Sequence, residues 1–207
     1  MKRVLMQLVI LFVIMIPAAF AQLPLSVGVL GGLNLANATT SPSLSTTTRT
    51  GMIVGGSIEF GLAPMLSVQP EVLYIQKGAK YSMIFLGQTI DATFKFDYVE
   101  VPILIKAKLP VGPLKPYVFV GPNIGFSVNA QGEVTAFGQT QTSKIDSTKS
   151  TDFCLDIGAG VEYSLIANLS LTGDVRYSLG LTNIGTESES WKSTGVQILV
   201  GVKISLM

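Results

Sequence analysis

The sequence predicts an all-β protein, an eight-stranded antiparallel up-and-down transmembrane β-barrel that follows an N-terminal signal peptide. Three observations predict it. Hydrophobicity alternates with a period of two in eight separate segments, the signature of two-faced strands. Short and long connections alternate along the chain, as they do when every second turn emerges at the same end of a barrel. Charge is sparse: 13% of residues are Asp, Glu, Lys or Arg, against about 25% in a typical soluble domain. After residue 21 no apolar run approaches the roughly 18 residues of a spanning helix. A chain this apolar without spanning helices fits a closed membrane barrel, the other structure that satisfies its backbone in lipid.

The first 21 residues read as a signal peptide. Lys2 and Arg3 form a basic start, Val4 to Ile16 an apolar run, and Ala19-Phe20-Ala21 a cleavage site before Gln22. The run is too short for a spanning anchor, which needs about 20 residues. Cys is absent just after the site, which disfavours a lipid anchor. The expected division is therefore 1–21 signal peptide and 22–207 barrel domain. The mature chain carries 12 basic and 13 acidic residues, with no basic patch of the kind nucleic acid selects. Histidine is absent and Cys154 is the single cysteine, so neither a disulfide nor a metal site is expected, and no cofactor.

Eight strands are expected, at 25–35, 51–62, 66–78, 94–109, 116–129, 151–165, 169–181 and 194–206. The last is the clearest. Val196, Ile198, Val200, Val202, Ile204 and Leu206 share one face, and Gln197, Gly201, Lys203 and Ser205 the other. Residues 99–109 (VEVPILIKAKL) alternate Val99, Val101, Ile103, Ile105, Ala107 and Leu109 with a face holding Glu100, Lys106 and Lys108. Segment 151–165 sets Phe153, Leu155, Ile157 and Val161 against Asp152, Cys154, Asp156 and Glu162. Short turns lie at 63–65, 110–115 and 166–168. The longer connections 36–50, 79–93, 130–150 and 182–193 all fall at the opposite end. Eleven residues at about 3.3 Å each, tilted some 40°, rise roughly 27 Å, close to the apolar band of such barrels. Tyr74, Tyr81, Phe94, Phe96, Tyr98, Tyr117, Tyr163 and Tyr177 fall where aromatic girdles are expected.

The polar faces are mainly Gly, Ser, Asn and Gln with isolated charges, rather than a dense Lys/Glu coat. The apolar faces are nearly free of charge, as lipid requires. The apolar faces are thus expected outside, and the charged residues inside a narrow lumen that side chains fill. Glu59, Glu71, Glu100, Lys106, Lys108, Asp156, Glu162, Asp174, Arg176 and Lys203 are expected to form a structural ion network there. An internal repeat bears on its layout. Residues 58–74 (IEFGLAPMLSVQPEVLY) align without a gap with 161–177 (VEYSLIANLSLTGDVRY), four strands on. Residues 103–109 likewise match 198–204, with Lys108 over Lys203. Folding each hairpin about its turn is expected to set Glu59 opposite Glu71 and Glu162 opposite Asp174, a repulsive pairing unless cations intervene. Gly28-x-x-Gly31-Gly32 and Gly158-Ala159-Gly160 precede no helix, so close backbone approach is expected of them rather than nucleotide binding.

The segments VGVLGGLN at 27–34, YVEVPILIK at 98–106, PYVFVGP at 116–122 and DIGAGVEY at 156–163 resemble the PorT-like outer-membrane β-barrel family of Bacteroidetes. The resemblance covers most of residues 22–207, and its E-V-P-x-L and G-x-G-x-E-Y parts are the most specific. It implies an eight-stranded outer-membrane barrel of the cell envelope. One member of that family is tied to protein secretion, but no residue here marks the role. The chain ends Ile204-Ser205-Leu206-Met207, without the terminal aromatic residue of many outer-membrane strands.

The expected function is non-enzymatic: a multi-pass outer-membrane barrel, monomeric, in contact with lipid. It would be structural, or bind an unknown protein or ligand through its long loops, and could assist protein export. A soluble exported lipocalin-like barrel carrying an apolar ligand is the alternative, and it leaves the loop asymmetry unexplained. A hydrolase is disfavoured by the absence of histidine. A carboxylate-only mechanism on Glu59, Glu71, Glu162 or Asp174 is a weaker account of those acids than ion pairing. A lumen filled by charged side chains also argues against a general porin.

Overall fold

The computed structural model describes residues 23–41, 47–85, 88–136, 139–144, 151–182 and 190–206. The expected signal peptide lies outside them. The strands are β1 (Leu25–Ser41), β2 (Thr47–Ala63), β3 (Leu66–Phe85), β4 (Gln88–Lys108), β5 (Leu114–Ala136), β6 (Gln139–Lys144), β7 (Thr151–Ile166), β8 (Leu169–Gly180) and β9 (Ser190–Ser205). Every pairing is antiparallel. β1 pairs with both β2 and β9, and the β4–β5 pairing closes the ring. Eight strands thus form a closed barrel. β6 stands outside the ring and pairs with the far end of β5.

Alternation decides the faces. Val29, Ile105, Val118, Ile157, Val175 and Val200 point outward, Val200 at 65% exposure. Their neighbours Leu30, Lys106, Phe119, Asp156, Arg176 and Leu199 are buried inside. A soluble protein would not leave a belt of Val, Ile and Leu in water around buried charges. Lipid makes that arrangement favourable.

The strands run longer than their alternation predicts. β3 and β4 continue their ladder through residues 79–85 and 88–93, which the sequence reading gives to a loop. β5 likewise continues to Ala136 and pairs with the unforeseen β6. Beyond the apolar band both faces meet water, so alternation ceases, while Thr, Tyr, Ile and Phe keep their preference for extended backbone. At about 3.3 Å per residue and a tilt near 40°, the 21 residues of β4 rise roughly 53 Å, twice the band. These long hairpins all project from one end. The opposite end carries the tight turns at 64–65, 110–113 and 167–168, together with Leu25 and Ser205.

The hairpin register differs from expectation by two residues. Ser57, not Glu59, lies opposite Glu71. Gly160, not Glu162, lies opposite Asp174. Both turns are two residues long, closed by Ala63↔Leu66 and Ile166↔Leu169, with a bulge on the incoming strand. A shift of two keeps every side chain on its face, where a shift of one would have turned the strand inside out. It also removes the like-charged cross-strand pairs. The repeat survives in full: the bulge at Gly61/Ala63 recurs 103 residues later at Ser164/Ile166.

Three expected girdle aromatics point inward instead. Phe96, Tyr98 and Tyr117 are buried in the lumen, while Tyr163 and Tyr177 face out. Tyr74 and Phe94 are half-buried, and the side chain of Tyr81 lies outside the described residues. Parity explains the three: Phe96 and Tyr98 share the face of Glu100, and Tyr117 that of Asn123. Phe119 joins them, and each ring of the Tyr117–Phe119 pair needs a glycine. A Cβ on Gly160 would come within 2.6 Å of Tyr117 Cζ, and one on Gly158 within 2.5 Å of Phe119 Cζ. Towards the hairpin end the lumen also holds an apolar cluster of Leu30, Ile53, Leu73, Ile75, Phe96, Tyr98 and Leu199. The interior is therefore less polar than the small-residue pattern predicts.

Candidate functional site

All ten residues of the expected ion network lie on inward faces. Nine are buried, and the Lys108 side chain keeps 14% exposure. They gather in three groups along the barrel axis.

Nearest the turn end stand Glu59 on β2, Lys108 on β4, Glu162 on β7 and Lys203 on β9. Lys108 donates to Glu59 and, at 3.0 Å, to Glu162. Lys203 donates to Glu162 and, at 3.2 Å, to Glu59. Each lysine therefore bridges both carboxylates. The repeat explains this: β2 and β7 sit four strands apart in an eight-strand ring, as do β4 and β9. Equivalent residues consequently meet across the lumen around a pseudo-twofold axis. Lys115 reaches Glu162 at 3.5 Å from the mouth.

Lys106 carries the network deeper. Its ammonium lies 3.0 Å from Gln69 Oε1, 3.9 Å from Glu59 and 3.8 Å from the centre of the Tyr117 ring. Gln69 Nε2 donates to Glu71 Oε1 at 2.6 Å. Arg176 then spans the lumen from β8, donating to Glu71 at 2.8 Å and to Asp174 at 3.1 Å. Tyr117 donates to Asp174 at 3.3 Å, and Arg176 lies 5.2 Å from the Phe119 ring centre. Fully buried charges of this kind cost several kcal/mol each to desolvate unless paired and hydrogen-bonded. These pairs meet that condition.

The third group is nearer the hairpin end. Asn123 Nδ2 donates to Glu100 at 2.7 Å and to Asp156 at 3.0 Å, holding two carboxylates apart. Lys77 neutralises Glu100 at 2.6 Å and Asp152 at 3.3 Å, and its ammonium lies 3.7 Å from Cys154 Sγ. Thr182 donates to the other oxygen of Asp152 at 2.8 Å. The sequence reading misses Gln69 and Lys77. On β3 the run Val72-Leu73-Tyr74-Ile75 is apolar on both faces and hides the alternation. Counting by twos from Glu71 would have found both.

Chemically, this interior offers fixed ion pairs and aromatic lids. Cys154 is buried, its thiol donating to Asp152 at 3.5 Å with the Lys77 ammonium 3.7 Å from its sulfur. Among the described residues no group of three or more His, Cys, Asp or Glu is placed to hold a metal ion. The turn end opens into a vestibule of about 540 Å³ floored by Glu59, Lys108, Glu162 and Lys203.

Solved structures share this architecture. A major outer membrane protein from Thermus thermophilus aligns with a TM-score of 0.55 at 16% identity, over 88% of this chain and 99% of that one. The outer membrane protein OprG from Pseudomonas aeruginosa aligns at 0.53 and 11% identity, over 87% and 95%. Neisserial surface protein A aligns at 0.50 and 17% identity, over 87% and 97%. At these identities the likeness concerns the fold alone. None of the curated proteins matches the sequence significantly. The family model described as outer membrane protein beta-barrel domain matches residues 20–185, and the ring formed with β9 completes the barrel it describes. With lipid-facing apolar walls, a charged interior and that match, the chain belongs to the outer membrane protein β-barrel domain family.

Proposed function

We propose that this protein is a non-enzymatic outer-membrane barrel that acts through the hairpins projecting from its long end. The observation carrying this reading is the contrast between a sealed interior and an extended rim. Leu73, Leu104, Tyr98, Arg176, Glu71, Glu100 and Asp156 fill the lumen at 1% exposure or less, which leaves solute transport without a path. The β3–β4 and β5–β6 hairpins meanwhile form one continuous sheet well beyond the apolar belt. The ion network, which Asp156 joins only through the amide of Asn123, is structural on this reading, a plug that holds the wall together from inside. Export by a signal peptide cleaved before Gln22, a PorT-like kinship within Bacteroidetes and a part in protein secretion are consistent extensions. In this orientation the tight turns face the periplasm.

The test has two parts. Replacing residues 130–150 by a two-residue turn should leave a barrel that still shifts its gel mobility on boiling. An epitope placed in 139–144 should be reached by antibody on intact cells. Steady ion conduction in planar bilayers, or an epitope hidden until the cells are opened, would contradict the proposal.

A further inference from the structure

We propose that the turn-end vestibule is a binding site for a phosphate-type dianion. This goes beyond the rim-based function above and does not depend on it. The vestibule, at about 540 Å³, falls within the range of roughly 300–1,000 Å³ typical of small-molecule sites. Its charge is unbalanced. Lys108, Lys115 and Lys203 line it against two carboxylates, Glu59 and Glu162. The lining itself carries three ammonium groups against two carboxylates, a net positive charge that favours an anion, and Lys106 stands behind Glu59 at 3.9 Å.

The donors are unbalanced in the same direction. An ammonium group has three N–H donors. Lys108 and Lys203 each direct two at Glu59 and Glu162, and Lys115 directs one at Glu162 at 3.5 Å. These contacts leave at least one N–H on each of Lys108 and Lys203, and two on Lys115, all three residues lining the cavity. Ser67 also lines the cavity, and its buried hydroxyl has no hydrogen-bond partner. Ser164 and Ser170, 3.5 Å apart, add hydroxyls to the same wall. A phosphate monoester or inorganic phosphate offers several acceptor oxygens at once and two negative charges near neutral pH, which suits this array better than a monoanion. Leu62, Met65 and Leu66 at the rim would suit the apolar part of a lipid carrying such a headgroup.

The experiment uses the full chain folded in detergent micelles, titrated at pH 7.5 with inorganic phosphate, with short-chain lysophosphatidic acid, and with acetate as the monoanion control. Phosphorus NMR and calorimetry read the phosphate compounds, and calorimetry reads acetate. The expected result is saturable binding of a phosphate compound that acetate does not match, weakened about tenfold in Lys115→Met and measurably in Ser67→Ala. Both variants should retain the mobility shift on boiling. Binding of inorganic phosphate identifies free phosphate as sufficient. Binding of the lipid alone assigns the site to a headgroup. Absence of saturable binding, equal binding of acetate, or affinity unchanged in Lys115→Met overturns the proposal.

Discussion

Replacing Glu162 by Gln is the sharpest probe of the lumen. Glu162 accepts from Lys203, from Lys108 at 3.0 Å and from Lys115 at 3.5 Å. The variant leaves Lys106, Lys108, Lys115 and Lys203 facing Glu59 alone. Removing one partner of a buried pair costs about 3–5 kcal/mol, because the remaining charge stays buried and uncompensated. Lys115 is 34% exposed and can turn to water, and Lys108 is 14% exposed, so the lower end, about 3 kcal/mol, applies. With a urea slope of about 2 kcal/mol per molar, the unfolding midpoint should fall by roughly 1.5 M. The assay is urea unfolding in micelles, followed by the loss of the fast-migrating folded band. Adding Lys203→Met should recover part of the loss, since it removes one stranded charge. The cycle should show a coupling of about 2 kcal/mol. A single variant within about 0.5 kcal/mol of the parent, or strictly additive costs, would refute the paired-lumen reasoning.

Other consequences follow from the same geometry. Glu59→Gln should cost nearly as much as Glu162→Gln, since the pseudo-twofold gives each acid the same two lysines; paired urea titrations check it. Arg176→Met strands Glu71 and Asp174 together and should destabilise the barrel by at least about 3 kcal/mol by the same assay. Gly158→Val should abolish the folded band, and Phe119→Ala should not restore it, because a Cβ there would meet the backbone oxygen of Val175 at 2.4 Å as well as Phe119 Cζ at 2.5 Å. Val200→Lys, on the outer wall, should cost about 2–4 kcal/mol near the bilayer midplane. Cys154, 3% exposed, should resist a water-soluble maleimide while folded and react after boiling in detergent.

The face of each strand was legible because a period of two is a local property, and a single polar or charged residue, such as Asn34 in β1 or Lys203 in β9, suffices to orient it. The repeat was legible too, since 58–74 and 161–177 align without a gap. Heights along the axis were not. They depend on the exact turn length together with bulges at Gly61/Ala63 and Ser164/Ile166, each of which shifts the pairing by one residue. Partnerships such as Arg176 with Glu71, 105 residues apart, follow from those heights. The strand ends escaped notice for a different reason. Outside lipid nothing enforces alternation, so Ser/Thr-rich ladder and loop read alike. Tyr98 and Tyr117 show the risk of reading residue type before parity: aromatic chemistry suggested the girdle, while position put them in the lumen.

Orientation underlies every other conclusion, and methyl NMR in micelles doped with a lipid-soluble paramagnetic probe measures it on the native chain. Ile103, Ile105, Val175 and Val200 should broaden strongly, and Leu73, Leu104 and Leu199 should stay sharp. Broadening of Leu104 and Leu199 with Ile105 and Val200 spared would mean that the wall faces the other way.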